Sequence, residues 1–350
     1  MPLVVCYHRV VEHFDPDERT VMPAMLISRG VLERHLDWIG LRFRFISLDE
    51  LGSRLESGEP FDGPVAAVTF DDGYSDVYEN AFPILKRKGI PAAFFVITDL
   101  IGTSRLPVYD RLYLLLAERF AKWGSVMSRT PGPRASGKRA SPRGTVPTCL
   151  GESPVGVLGA LLDALSQSEI ERVIEALEAG CEVDQRGLDG ARPASWEMVA
   201  EMCRAGMTIG SHTRSHVLLP NEHEEKVLEE IAGSRRELES RLGVPVNHFA
   251  YPSGRFNAAV VRAVAARGYR FGYTVCRHRD DRYPLLTIPR RVLWENSCLD
   301  GRGLFSPAIM HCQAHGLFDH FAPACEQDHG WPNGQTGASR VVLDLGPAGG

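Results

Sequence analysis

Three short stretches hold residue types that can do chemistry together. In Val68–Gly73, V-T-F-D-D-G, an apolar run delivers two adjacent carboxylates, Asp71 and Asp72, and Gly73 lets the backbone turn into the next segment. Neighbouring carboxylates can divide labour, one binding a cation while the other accepts a proton; an isolated pair would serve equally well as a helix cap. In Ile209–His216, I-G-S-H-T-R-S-H, a second apolar run leads to His212 and His216. Spacing of four in a helical turn puts both rings on one side, as a metal needs. One carboxylate with two imidazoles leaves coordination positions open, the pattern of a catalytic rather than a structural ion. The third stretch is His248–Gly254, H-F-A-Y-P-S-G, a strand running into a Pro–Gly turn. Such a turn can aim a backbone N–H into a site and wall it with aromatic surface, so Tyr251, Pro252 and Ser253 are its candidate substrate and oxyanion residues.

Those stretches need elements to hold them. Short β-rich runs alternate with amphipathic helical patterns, which predicts an α/β fold with a parallel sheet. Strands are expected at Leu3–Tyr7, Phe43–Ser47, Val65–Phe70, Ala92–Ile97, Met207–Ser211, Asn247–Tyr251, Arg270–Val275 and Leu286–Pro289. Helices are expected at Val31–Leu41, Leu51–Glu56, Val77–Lys88, Trp196–Ala205, Glu222–Leu242 and Ala258–Arg267. In Glu222–Leu242 the apolar residues Leu228, Ile231, Leu238 and Leu242 keep helical spacing, and the charged residues read as a solvated face. Between Gly124 and Gly151 there is no Asp or Glu, and Arg129, Arg134, Lys138, Arg139 and Arg143 sit among Gly, Ser and Pro. That composition predicts a flexible insertion, 124–153, between helical flanks Leu112–Phe120 and Val155–Leu177. Residues 301–350 read as an irregular tail, leaving 1–300 as the folded domain.

Composition narrows the classes. Hydrophobic residues make up 44% of the 350, enough for a full core, and the net charge of -5 excludes a general nucleic-acid-binding surface. Eight cysteines without any C-x-x-C fit reduced thiols rather than a disulfide scaffold or zinc ribbon. No apolar run is long enough to span a bilayer and no signal peptide is visible, so the expected location is cytoplasmic, or peripheral at a membrane.

On T-F-D-D-G at Thr69–Gly73, H-T-x-x-H at His212–His216 and F-A-Y-P-x-G at Phe249–Gly254, the sequence resembles the polysaccharide deacetylases of the NodB-homology type, carbohydrate esterase family 4. Tyr7–Val10 and Ile288–Arg291 add to the resemblance, which spans roughly Leu3 to Leu293. It implies a distorted (β/α)7 TIM-like barrel, one divalent metal, often zinc, and hydrolysis of an acetyl group on a sugar. Carried over by position, Asp72, His212 and His216 become metal ligands and Asp71 the base. The metal would polarise the carbonyl and acidify water, with a backbone N–H of the Tyr251–Gly254 turn helping to hold the oxyanion.

Two departures stand out. Many members carry an Arg in the third motif to orient the catalytic Asp, and Ala250 stands in its place; Arg290 or Arg291, late in the chain, is the candidate replacement. The usual general-acid His is not recognisable either. His8, at the end of the first strand, is preferred over His311 and His315 because strand ends converge on one face of a barrel. His311 and His315, with Cys312 and Cys325 nearby, match no standard zinc spacing. Trp196 and Trp294 read as packing. The competing functional readings are a carbohydrate-binding pseudoenzyme on the same barrel and a metal-dependent hydrolase of another acyl bond. Expected partners are an N-acetylated glycan or a lipid- or nucleotide-linked sugar.

Overall fold

Alternation within single strands decides which side chains meet at the centre of this protein. In the strand Val65–Phe70, Val65 and Ala67 join an inner apolar cluster with Val4, Ala93, Phe95, Ala250, Tyr273 and Ile288, while Ala66, Val68 and Phe70 pack outward against helices. Successive side chains of a strand point to opposite faces, so a strand buried on both faces is apolar throughout, as this one is. The computed structural model describes residues 2–15, 21–129, 153–179 and 191–320, together with Cys325, Gln327 and His329.

The strands in chain order are β1 (Leu3–Tyr7), β2 (Arg9–Val11), β3 (Leu26–Ser28), β4 (Arg44–Phe45), β5 (Val65–Phe70), β6 (Ala92–Val96), β7 (Thr208–Ser211), β8 (His248–Ala250), β9 (Phe271–Thr274), β10 (Ile288–Pro289) and β11 (Arg291–Val292). The helices are α1 (Arg29–Gly40), α2 (Leu48–Ser57), α3 (Phe82–Lys88), α4 (Val108–Arg129), α5 (Pro154–Ala164), α6 (Gln167–Glu178), α7 (Trp196–Arg204), α8 (Glu224–Leu242), α9 (Ala258–Ala266) and α10 (Pro307–Ala314). The main sheet is parallel in the order β10-β9-β8-β7-β6-β5-β1-β11, with β4 beside the start of β5. β10 bonds to β9 and β11 to β1, and only Arg290 separates them in sequence. One run, 288–292, therefore closes the sheet on itself, and the result is a distorted (β/α)7 barrel wrapped by helices.

Local signals account for most boundaries. Ser28 caps α1 by accepting from the Val31 N–H, and Val31, Leu32, His35, Leu36 and Ile39 bury one face. Where a continuous helix is expected over Val155–Leu177, the chain breaks at Leu165, because Ser166 and Glu169 form a capping box that starts α6. The expected strand Phe43–Ser47 shrinks to β4, since Ser47 caps α2. The β2–β3 pair has no counterpart among the expected strands. α10 is also ordered and buries Met310, so the first part of 301–350 packs on the barrel instead of being irregular. The rest of that segment beyond residue 320, apart from three residues, and residues 130–152 of the expected flexible insertion lie outside the described residues. No described helix is long and apolar enough to cross a membrane.

Candidate active site

The inward parity of each strand continues one residue past its end, into the C-terminal mouth. On β5 it runs Val65, Ala67, Thr69 and then Asp71; on β7 it runs Gly210 and then His212; along the closing run it is Ile288 and then Arg290. On β1 it is Val4, Cys6 and then His8. The four groups His8, Asp71, His212 and Arg290 thus reach one end of the barrel from four strands, where such folds build their sites.

Asp72 lies one residue beyond the inward position and reaches the site through a left-handed backbone, with φ of 73°. Its Oδ1 is 3.4 Å from His212 Nε2 and 3.5 Å from His216 Nε2. Four-coordinate zinc, with ligand distances of about 2.0–2.1 Å, spaces its N and O donors about 3.3–3.4 Å apart. That oxygen is also buried with no hydrogen-bond partner among the described residues, and an orphaned buried carboxylate oxygen needs a cation. His212 Nδ1 sits 2.8 Å from the Ala250 carbonyl, which can only accept. Nδ1 therefore carries the ring's proton, and Nε2 keeps its lone pair toward Asp72 when the ring is neutral. The three residues fit a divalent metal.

Electrostatics agree. Burial alone would raise the Asp72 carboxyl, but the facing His212 ring and the charge of His216 outweigh it and hold it well below the usual carboxylate range. Burial would lower His212, yet Asp71 and then Asp72 pull it above an ordinary histidine. Two buried carboxylates demand a positive charge at this spot, and either a proton on Nε2 or a bound cation supplies it. Burial drives His216 down to about 4, aided by repulsion from His212, so its imidazole is neutral and available as a ligand.

Asp71 is held differently. Arg290 Nη1 donates to Oδ1 at 2.7 Å and Nη2 to Oδ2 at 2.6 Å, with both side chains buried. Burial would raise the Asp71 carboxyl; Arg290, then His212, overcome this and hold it below its ordinary value. Nη1 also bonds Thr69 Oγ1, and the guanidinium lies 5.3 Å above the Phe95 ring. Arg291, on the opposite parity, turns outward to Asp319. Asp71 Oδ2 is 3.9 Å from His212 Nε2, so the two carboxylates flank one space. Donor atoms of His8, Cys6 and Asp71 all lie within 4.8 Å of one another.

The third-motif turn offers fewer backbone donors than its sequence suggests. The Tyr251 N–H donates to the Tyr273 carbonyl and Pro252 has no N–H, so neither is a backbone donor to substrate. Both side chains are buried, Tyr251 against Phe249 and Phe256, so they support the turn from below. Ser253, with φ of 51°, makes no hydrogen bond to a described residue through its N–H and faces a narrow cleft shared with His216, Tyr109 and Leu218. Gly254 has φ of 65°, and a Cβ there would fall 2.3 Å from Val275 Cγ2. Among the described residues the non-glycine positions with positive φ are Asp72, Thr213, His216 and Ser253, so backbone strain is confined to the site.

Several contributors escape the sequence reading. Glu230 on α8, expected on a solvated face, is buried; its carboxylate accepts the Arg214 and Ser215 N–H groups at 2.8 and 2.9 Å and the Ser215 hydroxyl at 2.7 Å. It fixes the loop carrying both histidines. Helical spacing marks Glu230 as adjacent to the apolar Ile231 and Val227, a faint signal. Tyr109 packs its ring 4.6 Å from His216 and shares a hydroxyl chain with Tyr74 and Asp110. His311 and His315 pack their rings against each other and, respectively, against Trp38 edge-on and Phe43, which is packing.

A parallel barrel that gathers a carboxylate pair, a histidine pair and a buried arginine at its C-terminal mouth defines a barrel hydrolase. The sequence profile of the polysaccharide deacetylase family matches residues 58–126 and 146–272, more than half of the chain. The chain belongs to that family, whose members are hydrolases of carbon–nitrogen bonds other than peptide bonds. It is 31% identical over 87 residues to the poly-beta-1,6-N-acetyl-D-glucosamine N-deacetylase of Staphylococcus aureus, covering 25% of this chain and 30% of that protein. The alignment thus spans less than a third of that relative's length. The deacetylase PplD of Streptococcus pyogenes superposes with a TM-score of 0.57 at 19% identity, covering 89% of this chain and 97% of its own. IcaB of Ammonifex degensii gives 0.52 at 21%, covering 85% and 93%. At these identities the structural likeness is one of fold.

Proposed function

We propose that this protein removes an acetyl group, N-linked in the first instance, from a sugar of a polysaccharide or glycan precursor, with Asp71 as the base. The observation that carries the reading is the division of labour between adjacent carboxylates. Asp72 faces two imidazole nitrogens, while Asp71 is clamped by Arg290 and opens onto the same space. Asp72, His212 and His216 would hold a divalent ion, zinc by the chemistry of the donors, which when bound would supply Lewis-acid polarisation of the acetyl carbonyl and acidification of water.

The chain's own groups do the rest. Asp71 takes the proton of the attacking water, and Arg290 keeps its carboxylate ionised and pointed at that water. The Ser253 N–H, uncommitted within the turn, is the backbone donor for the developing oxyanion. His8 shares the inward parity of Cys6 and lies beside Asp71, a position from which it can protonate the departing nitrogen. The name of the S. aureus relative supports an acetamido sugar as substrate. If the chain works in the cytoplasm, that sugar is lipid- or nucleotide-linked. A missing third-motif Arg favours a non-catalytic barrel, and Arg290 answers it with a two-point contact to Asp71.

The test is acetate release from β-linked N-acetylglucosamine oligomers by zinc-loaded wild type and Asp71→Asn. Asn is isosteric but cannot take a proton, so a loss on the order of 10²–10⁴-fold with unchanged metal content is expected. Equal rates for the two proteins would sink Asp71 as the base. Release of acetate from simple esters, with none from acetamido sugars, would point to hydrolysis of another acyl bond.

A further inference from the structure

Away from the barrel mouth, Cys276, just past the end of β9, meets two residues from the far end of the described chain. Ligand atoms of Cys276, Cys325 and His329 all lie within 4.8 Å of one another. His329 Nε2 is 3.6 Å from Cys276 Sγ and 3.2 Å from Cys325 Sγ. Its Nδ1 is 3.0 Å from the Phe256 carbonyl. A carbonyl only accepts, so Nδ1 holds the proton and Nε2 turns its lone pair toward both sulfurs. That is the orientation a metal-ligating histidine takes when a second hydrogen bond fixes its ring.

We propose that Cys276, Cys325 and His329 form a second zinc site, which clips the stretch carrying Cys325 and His329 onto the turn of the third motif. Zinc–sulfur and zinc–nitrogen distances of about 2.3 and 2.0 Å put S and N donors about 3.5 Å apart around a tetrahedral ion, and both observed separations lie near that value. Two thiolates and an imidazole select zinc over the oxygen-seeking magnesium, calcium or manganese. The pair Cys325-x-x-x-His329 comes from one short stretch, so a single crossing of the chain delivers two ligands. Three protein donors leave a fourth position for water or another ligand.

The surroundings give the clip a purpose. His329 stacks on the Phe256 ring at 4.3 Å between centroids, and its other neighbour His278 is stacked at the same separation. Gln327 Oε1 accepts from the Phe256 N–H at 3.4 Å. On the ligand's other side, the Cys276 N–H donates to Thr274 Oγ1, which in turn donates to the Gly254 carbonyl at 2.8 Å. The ion would thus bind together the far end of the described chain, the end of β9, and the turn whose Ser253 lies beside His216.

The experiment uses the full chain, purified under reducing conditions, stripped and reloaded with zinc or cobalt(II). Wild type should take up about two equivalents of zinc, and Cys276→Ser or Cys325→Ser about one. Cobalt-loaded wild type should show the near-ultraviolet thiolate-to-cobalt band that a site of Asp and His ligands cannot give. That band should persist in Asp72→Ala, which separates this site from the one at the barrel mouth, and vanish in Cys325→Ser. A reduced wild type without the band, or a band unchanged in both cysteine variants, overturns the proposal. Because the first readout is on wild type, a variant that fails to fold does not rescue it. Conversion of the reduced pair to a Cys276–Cys325 disulfide in the presence of zinc would overturn it as well.

Discussion

Arg290 donates two parallel hydrogen bonds, of 2.7 and 2.6 Å, to Asp71, 219 residues away in sequence, inside the barrel. The single residue between the two halves of the closing run therefore locks the orientation of a carboxylate delivered by β5. Barrel closure and placement of the base are one structural event. Bidentate guanidinium–carboxylate pairs are strong because each of two N–H groups meets its own oxygen, and here burial removes competing water.

Replacing that pair tests what it does. Arg290→Lys keeps the charge but loses the fork, and we expect a fall in kcat of about 10–100-fold, consistent with misplacement of a reacting group by about an ångström. Arg290→Met leaves Asp71 buried without its counter-charge, at a stability cost of about 3–5 kcal/mol. The pH dependence has a definite sign. Arg290 lowers the Asp71 pKa, so weakening it raises that pKa, and the acid limb of kcat/KM moves to higher pH in both variants. Superimposable acid limbs for wild type and Arg290→Lys would show that Arg290 does not act through Asp71.

Metal content separates the two neighbouring carboxylates. Asp72→Ala and His212→Ala each remove one of three donors at the mouth, and zinc retention there should fall by at least about 10–100-fold, with a parallel loss of activity. Asp71→Asn should keep the ion. Titration with a chromophoric chelator resolves the three cases, and equal retention by Asp72→Ala and wild type would dissolve the link between T-F-D-D-G and H-T-x-x-H.

Much of this site is legible in the sequence because it obeys strand periodicity. The motif T-F-D-D-G places Asp71 on the inward parity of β5, and Ile288 fixes the parity that turns Arg290 inward and Arg291 outward. Spacing alone leaves that choice open, because the register of a two-residue strand depends on its partners and not on its own residues. Tyr251 misleads for a related reason: a turn motif shows that a backbone N–H can face the site but not which one the neighbouring strand already uses. Glu230 escapes notice because a single acidic residue on a charge-rich helix carries no local mark of the loop that comes to rest on it. The cluster at Cys276 joins residues from two distant segments, which no spacing rule in the sequence connects.

Glu230 offers a test of how the histidine loop is held. In Glu230→Gln the amide has one oxygen where the carboxylate has two, and the Ser215 hydroxyl and the Lys226 ammonium near Oε1 then face an NH₂ group. The buried contacts that are lost should cost about 1–3 kcal/mol of stability. As a positioning residue behind His216, Glu230 should also set metal affinity, which we expect to weaken by about 10–100-fold. Calorimetric titration of zinc into the stripped variant is the discriminating measurement. A less stable protein with unchanged affinity for the ion at the mouth would reduce Glu230 to a purely structural role.

His35 supplies a pH-dependent term in stability that is independent of the site. Its ring is buried on α1, with Nδ1 3.3 Å from the Tyr7 hydroxyl and Nε2 without a partner among the described residues, and burial depresses the imidazole from 6.5 to about 4. A folded pKa below the unfolded one means that the unfolded chain takes up the proton first as pH falls. The stabilisation is therefore complete above about pH 6.5 and is lost progressively down through pH 4. Between pH 7.5 and pH 5 the loss amounts to about 2 kcal/mol from this group. His35→Phe keeps a ring against Tyr7 and Phe305 but cannot bind a proton. Urea unfolding at the two pH values should therefore show a drop about 2 kcal/mol smaller in the variant than in wild type. An equal drop in both proteins would mean that His35 is protonated in the folded state at pH 5.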